Sequence, residues 1–147
     1  MSEGRQRPRR QAREAALQVL FAAEAGSGLA LEGVEAAFDA VLGEFSLPPR
    51  ALQRARELVR GVSANLKAID EIVGLRATNW QLERLARVDR NVLRVATFEL
   101  VFESGTPPEV VIDEAIEVAR RFGADESASF VNGVLDAIAR ERNVVGP

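Results

Sequence analysis

The sequence predicts an all-α fold of about seven helices in two small packed bundles. Three observations carry this reading. The strongly periodic stretches repeat their apolar residues at three- and four-residue spacing, none alternates convincingly with period two, and glycine- or proline-rich breaks separate them. At 147 residues, 47% of them apolar, the chain has enough material for one ordinary domain with a real core.

Residues 1–8 read as a flexible arginine-rich tail. The first helix is expected from about Arg9 to Ala25, with Ala12, Ala15, Ala16, Val19, Leu20 and Ala23 on one stripe and Gly26-Ser27-Gly28 ending it. A second, from about Leu31 to Phe45, stops before Pro48-Pro49. A third, from about Arg50 to Val62, presents Leu52, Ala55, Leu58 and Val59, and a shorter one from about Asn65 to Leu75 presents Leu66, Ile69 and Val73. The stretch from about Leu82 to Ser104 is the most apolar and spreads its large side chains around much of its circumference, as the buried centre of a bundle does. Gly105-Thr106-Pro107-Pro108 forces a break. A helix carrying Val111, Ile112, Ala115, Ile116 and Ala119 then runs to Phe122, where Gly123 suits a left-handed cap. The last helix is expected to start near Asp125 as its N-cap. Asn132-Gly133 would read as a hairpin turn by dipeptide alone, but the helical spacing of Val131, Val134, Leu135 and Ile138 outweighs it. A glycine in that stripe then predicts a close helix approach. The two bundles are drawn at about 9–80 and 81–143.

Charge is distributed unevenly. In the first thirteen residues Arg5, Arg7, Arg9, Arg10 and Arg13 face one acid, Glu3, leaving about +4, while the remaining fourteen basic and twenty-one acidic residues carry −7. An acidic chain that concentrates cation at one end has built a local anion contact, and the commonest polyanion in a cell is nucleic acid. The plainer reading is a solvated tail in a chain where arginine is common.

Cysteine and histidine are both absent, which removes disulfides, thiolate nucleophiles, the usual base for a serine nucleophile and the usual transition-metal ligands. No catalytic residue, metal or cofactor is expected, and the absence of cysteine fits a reducing cytoplasm. Arg9 and Arg10 ahead of the run Ala15–Ala23 raise the thought of a secretory signal, but Gln18, Glu14 and Glu24 interrupt and bound it. No stretch approaches the roughly 18 apolar residues that cross a membrane. The acidic row Asp113, Glu114 and Glu117 reads as a solvent face laced to Arg120 and Arg121, not a cation site. Trp80, in the break before the central helix, either fills the seam between bundles or contributes to a protein surface.

Three segments together resemble a known family. Arg9-Arg10-Gln11-Ala12-Arg13-Glu14 with Leu17-Gln18-Val19-Leu20-Phe21, then Val92-Leu93-Arg94-Val95-Ala96 with Glu99-Leu100, then Ile112-Asp113-Glu114-Ala115-Ile116-Glu117 through Phe122-Gly123-Ala124 to Phe130-Val131-Asn132-Gly133-Val134-Leu135-Asp136, are similar to the NusB transcription antitermination factors. The likeness spans nearly the whole chain and is most specific in the C-terminal block; from Gly26 to Ala77 only the helix pattern matches. It implies a non-enzymatic bacterial factor of two helical subdomains that binds the boxA element of ribosomal-operon RNA together with NusE, a small-subunit ribosomal protein, within the RNA polymerase elongation complex and its other Nus factors. Some members of the family form homodimers that cover the arginine surface.

The resemblance assigns RNA contact to Arg9, Arg10 and Arg13, with Arg5 and Arg7 extending the set. Arginine suits it, because its planar fork bridges phosphate oxygens and stacks on exposed bases. Phe21 falls where the family places an aromatic on the same helix and could stack; by spacing alone it reads as core. Phe122, Phe130 and Asn132 fall where the family puts the other side of its RNA surface, although the two phenylalanines also suit packing and Asn132 could tie a helix end. Arg87, Arg90, Arg94, Glu99 and Glu103, as exposed residues of the central helix, are the candidates for the NusE surface. Two rivals belong to other classes. One is a helical adaptor that binds protein only; the other is the NusB-like N-terminal part of a ribosomal RNA cytosine methyltransferase, for which no glycine-rich cofactor loop or cysteine is present.

Overall fold

Arginine, glutamine, glutamate and alanine fill most of the first 25 positions, and all favour helix. In the computed structural model, which describes residues 2–43, 46–77 and 81–142 and side chains from Pro8 onward, helix α1 accordingly runs Ser2–Ala25. It continues upstream of the expected start at Arg9, with Pro8 inside it. The described residues form seven α-helices, a short 3-10 turn, one π-helical turn and no strand. They fall into two compact units, Met1–Ala64 and Asn65–Pro147, so the division comes ahead of the fourth helix rather than near Trp80. Trp80 and Phe45 lie outside the described residues.

The first unit packs α1 against α2 (Leu31–Leu42) and α3 (Pro49–Ala64). Its core is built from Ala12, Ala16, Val19, Leu20 and Ala23 of α1, Val34 and Phe38 of α2, and Ala51, Ala55, Leu58, Val59 and Val62 of α3. The alanines let α1 and α3 lie close, while each buried leucine contributes about 2 kcal/mol through the water it sheds. Between α1 and α2 the Gly28 amide donates to the Ala23 carbonyl at 2.6 Å, and Gly28 adopts φ +94, a left-handed conformation that glycine accepts without strain. The Ser27 hydroxyl donates to the Gly33 carbonyl at 2.8 Å. That holds the loop so tightly on α2 that a Cβ on Gly33 would stand 2.2 Å from the Gly28 carbonyl oxygen. Across α2 and α3, Glu35 accepts from Arg56 at 3.2 Å and from Arg60 Nε at 3.0 Å, and the Arg56 guanidinium stacks 4.2 Å from the Phe38 ring centroid.

The second unit is arranged around α5 (Arg87–Thr97), which packs on α4 (Leu66–Arg76), α6 (Pro108–Phe122) and α7 (Ser127–Glu141). Asn91 through Leu100 are buried without interruption. The single helix expected over Leu82–Ser104 is in fact three pieces: a 3-10 turn at Leu82–Arg84, then α5, then a π-helical turn at Phe98–Phe102. Leu85 and Ala86 break the first junction with ψ of 147 and 141. Arg90 spans the break: its Nη1 donates at 3.2 Å to the Leu82 carbonyl, which also accepts from the Leu85 amide at 3.1 Å, and at 3.0 Å to the Leu85 carbonyl. At the second junction the wider π turn brings residues four apart nearly into register, and the Phe98 and Phe102 rings stack with centroids 6.3 Å apart.

Two further expectations are corrected at the α6–α7 corner. Gly123 is extended, φ −101 and ψ −169, not left-handed; it is glycine because a Cβ would meet Ser127 Oγ at 2.5 Å. Ser127, not Asp125, organises the start of α7: its hydroxyl accepts from the Ala124 amide at 2.9 Å while its own amide donates to the Ala124 carbonyl at 3.0 Å. The two bonds close the turn Ala124–Ser127 ahead of α7.

The link between α4 and α5 is electrostatic. Arg94, only 4% exposed, donates to Asp70 from Nε at 2.8 Å and from Nη2 at 3.0 Å, and to Asn91 Oδ1 from Nη1 at 3.0 Å. Asn91 in turn donates to the Arg87 carbonyl at 3.1 Å. Removing the Asp70 carboxylate strands a buried guanidinium, so Asp70→Ala is expected to destabilise the unit by about 3 kcal/mol in urea denaturation. A smaller effect is expected at Glu35. The Arg60 hydrogen bond, with the charges of Arg60 and Arg56, holds its carboxyl below the ordinary value of 4.5 against a burial that raises it. The folded pKa lies below the unfolded one, so the contribution is present above the ordinary value and lost as pH falls through the folded one. The stability gap between the native chain and Glu35→Gln should therefore narrow as pH falls from neutral through the ordinary value of 4.5 and below it.

Candidate nucleic-acid interface

The arginines at the start of α1 divide by burial. Arg9 and Arg10 are exposed, whereas Arg13 is 7% exposed and its head is not presented to solvent. The side chains of Arg5 and Arg7 lie outside the described residues. Phe21 is 40% exposed, which overturns its placement in the core by spacing. At about 100° per residue it sits opposite the buried stripe of Ala12, Ala16, Val19 and Ala23, and three turns from Arg10 on the same side of the helix, about 16 Å along it. Arg10 and Phe21 thus place a cation and an aromatic face along one side of α1, with Arg9 exposed elsewhere around it, a pairing that suits single-stranded nucleic acid.

In the second unit Phe122 and Phe130 are half-buried, and Asn132 is exposed on α7. The Arg121 guanidinium lies 5.3 Å from the Phe122 ring centroid, so this ring already carries a cation on one face. Asn132 stands inside α7, more than one turn from its start, and is exposed together with its neighbour Gly133. The close helix approach expected at Gly133 is absent: a Cβ there would have open space for 4 Å. Asn132 and Gly133 instead form a bare strip facing away from Val131, Val134 and Leu135, which are buried.

The proposed protein-contact set is also divided. Arg87 is exposed, and Arg90 and Glu103 are half-buried. Arg94 and Glu99, at 4% and 3%, are inside the unit and are not surface residues. Their burial follows from the run Asn91–Leu100, which has neighbours on every side. In the acidic row Asp113 is exposed and Glu117 accepts from Arg120 at 2.7 Å, but Glu114 is buried, so the row is not wholly a solvent face. Among the described residues no group of three or more acids, histidines or cysteines could hold a metal ion, and no helix is long and apolar enough to cross a membrane.

Sequence reading passed over the start of α3, where Arg50 is exposed, Arg54 donates to Glu57 at 3.1 Å, and the first turn holds no acid. The signal was present, since a basic first turn runs against the helix dipole.

The described residues form helices without a strand, with exposed arginine and aromatic side chains on α1, and define a small all-α protein. The NusB family model matches residues 10–140, and the chain belongs to the NusB family. It is 49% identical over 127 residues to the transcription antitermination protein NusB of Sorangium cellulosum, covering 86% of this chain and 88% of that protein. To the NusB of Myxococcus xanthus it is 42% identical over 131 residues, covering 89% and 94%. Among solved structures it superposes on Thermotoga maritima NusB with a TM-score of 0.81 at 44% identity, covering 90% of this chain and 91% of that one. It also matches a crystal structure of the antitermination factors NusB and NusE in complex with double-stranded RNA, with a TM-score of 0.81 at 28% identity, over 92% and 98% of the two chains.

Because no atom presses on Gly133, Gly133→Ala should raise stability by about 0.5–1 kcal/mol through helix propensity, whereas Gly33→Ala, with no space for its methyl group, should lower it. Thermal melts of the two variants check both signs.

Proposed function

We propose that this chain is a transcription antitermination factor that binds the boxA RNA of ribosomal RNA operons together with NusE and supports processive elongation by RNA polymerase. The observation that carries the reading is α1: exposed Arg9 and Arg10 on a helix that also exposes the Phe21 ring, in a member of a family whose relatives bear the antitermination name. The arginines hold phosphates and the ring takes an unstacked base. Phe122, Phe130 and Asn132 supply a second contact, with the Asn132 amide reading a base edge and bare Gly133 letting the strand approach the helix. Arg87 and Glu103 face the protein partner, while the Arg90 guanidinium is engaged by the Leu82 and Leu85 carbonyls. The chain acts by binding and not by catalysis, and works in the bacterial cytoplasm, where transcription takes place.

Fluorescence anisotropy of labelled boxA RNA and a scrambled RNA, with and without NusE across a salt series, tests the proposal. Tighter binding to boxA that NusE strengthens is the expected result. Equal, feeble binding to both RNAs, indifferent to NusE, would replace it with the protein-only adaptor. Arg9→Ala with Arg10→Ala should flatten the slope of log K against log salt by about 1.4, two phosphate contacts on a single strand. Phe21→Ala should weaken binding about tenfold at every salt, because stacking, unlike ion pairing, is not screened.

A further inference from the structure

Helix α3 carries its cations where its own dipole disfavours them. The first turn of α3, which holds Arg50, contains no acid; Arg54 follows one turn later and pairs with Glu57, the one acid of the helix, and Arg56 and Arg60 come next. The N-terminus of a helix already presents partial positive charge, so such a start is relieved by an anion.

The four arginines occupy two flanks. Arg56 and Arg60 reach α2, where both bond Glu35. The buried stripe Ala51, Ala55, Leu58 and Val62 separates them from Arg50 and Arg54, which at 100° per residue fall on the opposite flank. With α2 on one flank and α1 also packed against α3, the flank of Arg50 and Arg54 is the one toward α1.

The direction of α1 and α3 is fixed by a bond at their far ends. The Ser63 hydroxyl, in the last turn of α3, donates at 2.8 Å to the Leu29 carbonyl in the loop that ends α1. The two helices therefore run the same way. From Ser63 back to Arg50 is thirteen residues, about 20 Å of helix, and the same distance back from the last turn of α1 reaches the level of Ala12 and Arg13. Arg50 thus stands at the same end of the unit as Arg9 and Arg10, and the buried small residues Ala12, Ala16, Ala51 and Ala55 permit the two helices to pack closely.

We propose that Arg50 and Arg54 of α3 form a second bank of the RNA surface that α1 begins, so that the sugar-phosphate backbone of single-stranded RNA crosses both helices at this end of the first unit. The proposal rests on the RNA-binding function argued above. The contact is to phosphate, so it adds affinity without reading sequence.

The test is anisotropy of labelled boxA RNA and of scrambled RNA, with NusE present, for four forms: the native chain, Arg50→Ala with Arg54→Ala, Arg50→Glu, and Arg60→Ala. The double variant should weaken binding to both RNAs by the same factor, roughly tenfold, and flatten the salt slope by about 1.4. Arg50→Glu, which alters one exposed side chain and leaves the packed flank alone, should weaken both RNAs by at least as much as one lost contact. Arg60→Ala removes the same charge from the same helix on the flank toward α2 and should leave affinity and slope unchanged. Native affinity and slope in both the double variant and Arg50→Glu, while Arg9→Ala with Arg10→Ala loses binding, would overturn the α3 contact and leave the RNA function standing. A native chain that binds neither RNA would overturn both. Circular dichroism checks that each form is folded, and Arg50→Glu decides alone if the double variant is not.

Discussion

A guanidinium placed inside a helical bundle dictates what must surround it. Arg94 is buried in α5, and an isolated ion there would cost several kcal/mol even after relaxation. The cost is met only if a carboxylate offers both oxygens in the plane of the fork, which Asp70 does, and if the remaining edge finds an acceptor, which Asn91 supplies. These demands fix where α4 lies along α5 and how the two helices are rotated about their axes. They also require a regular helix at Asn91, whose amide reaches back one turn to Arg87. Apolar packing would tolerate a small slide between the helices; a bidentate ion pair does not. The first unit is held by alanine-mediated closeness, with the Glu35 pairs at its rim adding little.

Arginine does two jobs in this chain, and burial separates them. Arg94 and Arg90 organise backbone and helix junctions, while Arg56 and Arg60 hold α3 to α2. Arg9, Arg10 and Arg50 are exposed, and all three belong to helices of the first unit. A net charge of −3 for the whole chain therefore says little about what a polyanion meets. The acids are spread widely, and several are engaged with structural arginines, whereas cations are concentrated at the starts of α1 and α3. Local charge, not the sum, governs approach at separations below the Debye length of about 8 Å.

How much of this was legible depended on the kind of signal. Helix existence followed from periodicity, because each amphipathic stripe must find a partner face, and the stripe on α1 matches the buried residues. Backbone detail did not follow. Periodicity reports which side chains are buried and is silent about whether Leu85 and Ala86 are extended or whether Phe98 opens a π turn. The choice of Arg94 and Glu99 as surface residues failed because charged types are usually outside, and the acid that makes Arg94 an exception lies 24 positions away with nothing local to announce it. At the last corner Asp125 and Ser127 were both competent caps within three positions, and only the tight approach of Ser127 to Gly123 decides between them. Phe21 was expected in the core by spacing, yet at about 100° per residue it stands opposite Ala12 and Ala16 and is 40% exposed, where the resemblance puts a stacking aromatic. The grouping of exposed residues at one end of the first unit needed the Ser63–Leu29 bond, which the sequence does not announce.

The uninterrupted burial of Asn91 through Leu100 has a consequence for the order in which the second unit comes apart. Surface turns of a helix can fray singly and let solvent reach their amides, but a segment enclosed on all sides has no partial opening that leaves its neighbours in place. Its amide protons therefore exchange with deuterium only when α4, α6 and α7 release it together. The rim of the unit can breathe on short timescales while its axis reports nothing but complete unfolding.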